Sequence, residues 1–103
     1  MAKMTVIYKT PKDIDLFNKH YFEVHIPLAK KLPGLIRYEI SKGSVFSTTG
    51  HSDVYRVANL YFESLEVMME SFKSDIGQQC AADRRILASD DEVQIYVYDV
   101  ENT

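Results

Sequence analysis

Four stretches of the chain have a strand-like pattern of apolar positions, and these stretches are predicted to be strands. Each is rich in β-branched and aromatic residues and ends at turn residues, as strands do. The predicted strands span residues 4–10, 35–47, 54–62 and 92–100. Because side chains alternate between the two faces of a strand, Tyr38 is predicted to point away from Arg37 and Glu39.

A helical rhythm follows the first strand. Its apolar residues recur at spacings of three and four: Ile14, Phe17, Tyr21, Val24 and Leu28. Asp13 is the predicted N-cap of this helix, and the Pro-Gly pair at residues 33–34 is its predicted stop. Pro27 cannot donate a helical hydrogen bond, so a kink or break is predicted near residues 24–26.

A second helical pattern begins after Ser64, which is a predicted N-cap. Its apolar face is Leu65, Met68, Met69 and Phe72. Gly77 is predicted to stop or bend this helix, and residues 78–88 form a weaker helical stretch.

The order of elements is therefore β-α-β-β-α-β. This order predicts an α+β fold of the ferredoxin-like type, with a four-stranded antiparallel sheet and both helices on one face. A sheet covered on one side usually alternates cleanly between apolar and polar positions. Here the first, third and fourth strands carry apolar or aromatic side chains on both faces, so a second layer is needed. A second copy of the chain is the simplest cover, which predicts a homodimer.

The composition excludes several classes of protein. The chain has 103 residues, the usual size of one domain, and we interpret residues 1–103 as a single domain. A formal net charge of −3 argues against a nucleic-acid binder, which needs a basic face. No apolar run approaches the about 20 residues of a membrane span, and no apolar targeting segment precedes the first strand. We therefore expect a cytoplasmic protein with neither a membrane nor a nucleic acid as partner.

Metal and cofactor sites are not predicted. Cys80 is the only cysteine, so neither a disulfide framework nor a multi-cysteine metal motif is possible. His20 and His25 lie about 140° apart around an α-helix, so they are not predicted to share a face as a metal-binding pair would. The glycines are scattered, and no phosphate-binding loop or flavin or nicotinamide fingerprint is present.

His25 is the first candidate for chemistry. It lies beside the apolar stripe and close to Pro27, and an imidazole titrates near neutrality. It could transfer a proton at a cavity wall, or it could be a half-buried histidine bonded to a backbone carbonyl.

Asn59 and Tyr61 share one face of the third strand, where they could contact a flat, partly polar ligand or pack within the sheet.

The stretch from His20 to Tyr38, HYFEVHIPLAKKLPGLIRY, resembles the EthD family. It carries a helix with His-x-Pro-Leu at residues 25–28, then Pro-Gly-Leu, and then a tyrosine that enters the next strand. Residues 58–66 are similar to the family's strand into its second helix, and residues 75–88 to its short Gly-Gln-containing helical segment. The resemblance covers nearly the whole chain.

This resemblance implies a dimeric α+β barrel, in which two ferredoxin-like units pack sheet to sheet. Similar barrels include muconolactone-type isomerases and cofactor-free monooxygenases. In the methylmuconolactone-type isomerases a histidine of the first helix and a tyrosine of the second strand are implicated in the site, and those positions match His25 and Tyr38 here. Arg37 is a further candidate, although the family pattern places its basic residue one position earlier.

We therefore expect a homodimer that binds a small aromatic or lactone-like molecule without a cofactor or metal. If it is an enzyme, His25 and Tyr38 are its catalytic candidates, as a proton-transfer isomerase or a cofactor-independent monooxygenase of a degradation or biosynthetic pathway. Asn59, Tyr61 and Arg37 are the candidates for substrate binding. The alternative is a non-catalytic binding or accessory protein with the same barrel.

Overall fold

One antiparallel sheet of four strands carries the fold. The computed structural model describes residues 1–103. Its strands are β1 (Ala2–Lys9), β2 (Arg37–Ile40), β3 (Val54–Phe62) and β4 (Val93–Asp99). They lie in the order β2-β3-β1-β4, and all neighbours are antiparallel.

The helices lie between the strands in the chain. They are α1 (Ile14–His20), α2 (Ile26–Ala29), α3 (Leu65–Lys73) and α4 (Asp75–Leu87). A π-helical turn, Tyr21–His25, joins α1 to α2, and a 3-10 turn, Asp90–Glu92, precedes β4. No helix combines the length and the apolar composition that a membrane crossing requires.

The connections confirm the predicted β-α-β-β-α-β order and the ferredoxin-like α+β fold. The middle strand β1 pairs with both β3 and β4, so that Val6 faces Ala58 on one side and Ile95 on the other. The predicted antiparallel pairing of the second and third strands is present, with Tyr38 opposite Leu60.

The helices cover one face of the sheet, which we call the inner face. Its side chains include Val6, Tyr8, Tyr38, Ala58, Leu60 and Phe62. The buried Tyr8 ring meets the rings of Phe17 and Tyr21 edge-on, with centroids 5.4 and 5.8 Å away. Edge-to-face packing of this kind adds to the free energy gained from burial alone. The opposite, outer face carries more polar side chains, among them Lys3, Thr5, Asn59 and Tyr61.

Both predicted helix caps are present. The Asp13 carboxylate accepts a hydrogen bond from the Leu16 backbone N–H at 3.0 Å, and the Ser64 hydroxyl accepts one from the Val67 N–H at 3.1 Å. Each cap satisfies a donor that the first helical turn would otherwise leave unpaired.

The disturbance predicted at Pro27 is a π-helical turn, not a break. The Ile26 N–H donates to the Tyr21 carbonyl, five residues back. Pro27 follows in the first turn of α2, where its missing N–H costs least. The helix stays continuous because one wider turn accommodates the proline. Single π-turns of this kind are frequent at functional sites.

The second strand is shorter than predicted. The sequence pattern predicts a strand over residues 35–47, but β2 is limited to Arg37–Ile40. One further hydrogen bond to β3 lies at each end, from the Ile36 N–H to the Tyr61 carbonyl and from the Ser41 N–H to the Val57 carbonyl. The residues that follow are mostly Ser, Thr and Gly, and Gly43 has a positive φ of 72° that does not continue a strand.

The break between the last two helices lies at Ser74, not at Gly77. Ser74 has an extended backbone, and its hydroxyl caps α4 by accepting from the Gly77 N–H at 3.1 Å. Gly77 is buried within α4, where a Cβ atom would lie well inside van der Waals contact with the backbone of Ser71 and Phe72. The glycine therefore allows α3 and α4 to approach closely.

The edge strand β4 is exposed on both faces. Its inner-facing Ile95 and Val97 are 42% and 46% exposed, and its outer-facing Tyr96 and Tyr98 are 53% and 44% exposed. Large side chains are thus left uncovered on both sides of an unpaired strand edge, which soluble monomers usually avoid.

The close approach at Gly77 gives a stability prediction. Gly77→Ala should lower the free energy of unfolding by about 1–3 kcal/mol, as overpacking does. At an unobstructed helix position the same change would instead stabilise by about 1 kcal/mol. Urea unfolding of both proteins measures the difference. Ala82→Gly, at an exposed position of the same helix, controls for helix propensity alone, and an alanine variant more stable than the parent would contradict the packing described here.

Candidate functional site

A cavity of about 210 Å³ lies between the helices and the inner face of the sheet. Its wall is mostly hydrophobic and includes Met4, Val6, Ala29, Leu32, Leu60 and Phe72. Concave, largely apolar sites with a few convergent polar groups are typical of small-molecule binding. The polar groups of this cavity come from the π-turn, from α4 and from two strands.

His25 and Tyr38 both line this cavity. The π-turn carries His25, which is only 7% exposed, and β2 carries Tyr38 on the inner face of the sheet. The structure thus places the two catalytic candidates in the lining of one cavity. Their chemical roles remain predictions.

The structure does not bring the three other candidates into this cavity. Arg37, Asn59 and Tyr61 lie on the outer face, because they alternate with the inner-facing residues of β2 and β3. There the Arg37 guanidinium lies 4.2 Å from the centre of the Tyr61 ring, and Asn59 accepts a hydrogen bond from the Thr5 hydroxyl at 2.9 Å. The sheet separates all three from His25, so a ligand in the cavity would not reach them.

Asp83 of α4 lies between the two histidines of the first helix. Its Oδ2 atom is 2.8 Å from His25 Nδ1, and its Oδ1 atom is 2.7 Å from His20 Nε2. The prediction that these histidines face different ways is therefore wrong. It assumed an α-helix, whereas a π-turn closes its hydrogen bonds over five residues and brings residues at that spacing to one side.

The shared carboxylate determines which ring nitrogen of His25 carries a proton. An ionised carboxylate accepts hydrogen bonds and donates none, so each histidine must donate to it. His25 therefore carries its proton on Nδ1, and Nε2 keeps a free lone pair. That Nε2 atom has no hydrogen-bond partner in the chain, yet it is not sealed away from open space.

Burial lowers the pKa of His25 below its usual value, and the hydrogen bond and charge of Asp83 only partly oppose this effect. The imidazole is consequently neutral at pH 7 and can act as a base through Nε2. His25 contacts Asp83 of α4 and the ring of Tyr21 in the π-turn. The same cavity is also lined by Tyr8, Tyr38, Cys80 and Arg84.

Tyr21 and Tyr38 form a pair of phenols beside His25. Their hydroxyl oxygens are 2.8 Å apart, and the Tyr21 ring stacks on the His25 ring with centroids 5.6 Å apart. Burial raises the pKa of both phenols, so both stay protonated at neutral pH. When Tyr21 donates to Tyr38, the Tyr38 proton is left for an oxygen atom in the cavity.

Cys80 lines the same cavity as a thiol and not as a nucleophile. Burial, with a smaller contribution from the Asp83 charge, raises the pKa of Cys80 to about 11. The reactive form of cysteine is the thiolate, and little of it exists at neutral pH. No group of three or more His, Cys, Asp and Glu side chains is arranged to hold a metal ion.

Asp83 is the site residue that the sequence reading missed. It lies on the stripe Ile76, Cys80, Asp83 and Leu87, whose spacings of four, three and four are those of a buried helical face. A carboxylate within such a stripe needs a buried partner, because burying an unpaired charge is costly. A charged residue within an apolar helical stripe is therefore the feature of the sequence that points to Asp83.

The comparisons with known proteins agree with this fold. The profile of the EthD domain matches residues 9–91. An uncharacterized 11.0 kDa protein from the thcB–thcC intergenic region of Rhodococcus erythropolis is 36% identical over 90 residues, which cover 86% of this chain and 85% of that protein.

Two solved structures show the same architecture. A crystal structure of an EthD family protein from Bacillus halodurans has a TM-score of 0.88 at 26% identity, covering 98% of this chain and 99% of that one. A cofactor-independent oxygenase from Streptomyces nogalater has a TM-score of 0.69 at 11% identity, covering 99% and 94% of the two chains. The second likeness concerns the fold alone.

The lowered pKa of His25 gives a prediction for the pH dependence of stability. Between the folded pKa and about 6.5, the value of an unperturbed histidine, the unfolded chain binds more protons than the folded one. The free energy of unfolding should therefore fall as the pH drops through this window. His25→Gln should remove this component, which urea unfolding between pH 5 and about pH 8 can measure.

His51→Gln is the matched control, because His51 lies on an exposed turn outside the site. Its unfolding free energy should keep the pH dependence of the parent protein. An identical slope in the parent and in His25→Gln would show that His25 titrates alike in the folded and unfolded chains.

Proposed function

Because the chain belongs to the EthD family, we propose that it binds a small organic molecule in the cavity beside His25 and transfers a proton to or from it. The observation that carries this proposal is a neutral histidine that Asp83 holds through Nδ1, that has no hydrogen-bond partner at Nε2, and that lines an apolar cavity together with Tyr38. Proton-transfer chemistry needs at least a general base and a hydrogen-bond donor that can reach the same ligand.

The size of the cavity limits the ligand. Its volume of about 210 Å³ is somewhat larger than the roughly 150 Å³ of an engineered protein cavity that binds benzene. One substituted ring therefore fits, whereas the volume falls below the about 300 Å³ at which pockets for drug-sized ligands begin. An aromatic or lactone-like ring matches both the volume and the hydrophobic wall.

The proposed reaction begins with His25. Its Nε2 atom takes a proton from a ring carbon that lies between a carbonyl group and a C=C double bond. The electron pair of the broken C–H bond forms a new C=C bond to the carbonyl carbon, and the π pair of the carbonyl group moves onto its oxygen. Tyr38 donates a hydrogen bond to that oxygen as its negative charge develops. His25 then returns the proton to the far carbon of the original double bond. The carbonyl group re-forms and the double bond shifts by one position, which completes an isomerisation without a cofactor.

Cofactor-free oxidation is the second reaction that this base could begin. The fold shared with a cofactor-independent oxygenase supports it, although at 11% identity that likeness concerns architecture only. Such a reaction consumes dioxygen and an isomerisation does not, so oxygen uptake during turnover separates the two. Either reaction would suit a step in the degradation or synthesis of small ring compounds.

A catalytic role can be tested with single-ring lactones and phenols as substrates. His25→Gln should lower turnover by on the order of 10²-fold or more, the usual contribution of a proton-transfer residue. Tyr38→Phe should also lower turnover, because it removes the donor to the developing charge. Tyr61→Phe is the matched control, since the same change is made on the outer face of the sheet.

The outcomes distinguish the two proposed functions. Compounds that bind in the cavity but are not converted would support the non-catalytic binding or accessory role instead. If a folded His25→Gln protein had unchanged turnover, His25 would not be the proton-transfer residue.

We also propose that the chain functions as a homodimer in which β4 and the outer faces of two sheets pack together. The exposed aromatic and aliphatic side chains of β4 support a second copy as the cover, because soluble monomers rarely leave so many large side chains exposed along one unpaired strand. The dimeric barrel implied by the EthD resemblance has this arrangement.

The dimer gives a prediction for the mass in solution. Light scattering at micromolar concentration should give twice the 11.9 kDa mass of one chain. Tyr96→Lys should shift the mass toward the monomer, because it places a charge in the proposed interface. Phe46→Lys is the control, since Phe46 is 82% exposed on a loop outside the sheet. A single-chain mass for the parent protein would contradict the proposal.

A further inference from the structure

The charged side chains that line the cavity are all basic. Besides its hydrophobic and aromatic wall, the cavity is lined by His25, Arg84 and Arg85, and by no aspartate or glutamate. The chain as a whole carries a formal charge of −3. Two arginines and no carboxylate therefore line this cavity within an otherwise acidic protein, since Asp83 contacts His25 without lining the cavity itself.

The two arginines differ in what they already bind. Arg84 donates to the Ala88 carbonyl at 2.8 Å and to the Asp90 carboxylate at 2.7 Å, so its guanidinium is occupied. Arg85 is exposed and forms neither a hydrogen bond nor an ion pair within the chain. Arg85 is thus a free cation at the wall of an apolar cavity.

The phenols add donors to the same space. Tyr8 lines the cavity, and its hydroxyl has no hydrogen-bond partner in the chain, yet it is not sealed from open space. Burial raises the pKa of Tyr8 and of Tyr38, so both hydroxyls keep their protons at neutral pH. Each of these hydroxyls therefore keeps a proton that it can donate to a ligand, while the guanidinium of Arg85 can only donate.

We propose that the ligand of this cavity is a single-ring carboxylate, whose ring lies against the hydrophobic wall and whose carboxylate is bound by Arg85. The inference rests on the proposed function of the same cavity and adds the charge of its ligand. A guanidinium presents a planar fork of donors that matches the two oxygens of a carboxylate. Positive charge at a low-dielectric cleft also raises the local concentration of anions and their rate of entry.

The arrangement places the two ends of the ligand differently. The carboxylate end meets Arg85 at the solvent-accessible side, where the ion pair keeps part of its hydration. The ring end reaches His25 and Tyr38, which are largely buried. A carboxylated ring would therefore enter with one orientation, which places a ring atom and not the carboxylate at the base.

The experiment compares pairs of probes that differ only in charge. The pairs are benzoate with benzamide, 4-hydroxybenzoate with its amide, and a lactone carboxylate with its amide. Each is titrated into the ¹⁵N-labelled parent protein, and dissociation constants are taken from the shifts of the His25 and Tyr38 signals. The acid of at least one pair should bind about 10-fold or more tightly than its amide, as expected for charge-assisted hydrogen bonds.

Variants assign this preference to one residue. Arg85→Gln should bring the acid and the amide to similar affinity, Arg85→Lys should keep part of the preference, and added salt should weaken the acid only. Arg37→Gln is the matched control, because Arg37 lies on the other side of the sheet, and it should leave the preference unchanged.

The results separate this inference from the function on which it rests. Equal affinity of acid and amide in every pair that binds, or a preference that survives Arg85→Gln, overturns the carboxylate assignment and leaves the cavity as a ligand site. No response of His25 or Tyr38 to any probe at millimolar concentration overturns the proposed ligand site itself.

Discussion

Two histidines of one helix share a single buried carboxylate, and the geometry of the site depends on that contact. Asp83 reaches His25 with one oxygen and His20 with the other, which ties the first helix to α4 above the sheet. Removing one partner of a buried ionic contact leaves the other group without compensation, and this is usually costly. The same contact fixes the ring orientation of His25 and leaves its second nitrogen open.

The carboxylate and the apolar cavity act on His25 in opposite directions. Burial disfavours the imidazolium, whereas Asp83 favours it, and burial has the larger effect on the pKa. The outcome is a histidine that is neutral at pH 7 but that has a negative charge beside it to stabilise a proton once it is taken up. This is the electrostatic setting that a general base needs.

Most of the fold could be predicted from patterns of residues that lie close together in the chain. The strand pattern, the caps at Asp13 and Ser64, and the two-sided fourth strand all depend on neighbouring residues, so they could be predicted from the sequence. The EthD resemblance identified His25 and Tyr38 as the catalytic candidates, and both line the cavity.

The rest of the site depends on contacts between distant segments. The π-turn precedes Pro27 and changes which residues of the helix share a side. The five-residue spacing of His20 and His25, interpreted as α-helical, therefore predicted the wrong relative orientation. Asp83 lies 58 residues from His25 in the chain, and no local pattern connects them. The outer-face positions of Arg37, Asn59 and Tyr61 follow from strand parity, but which face holds the cavity is settled only by the packing of the helices.

The most direct test of the central claim is the ¹⁵N NMR spectrum of the His25 ring in the parent protein at pH 7. The shared carboxylate predicts a neutral ring with its proton on Nδ1. Asp83→Ala, which removes the acceptor, should lose this single tautomer, while Asp75→Ala, an exposed change on the same helix, retains it. A proton on Nε2, or a charged ring at pH 7, would contradict the account.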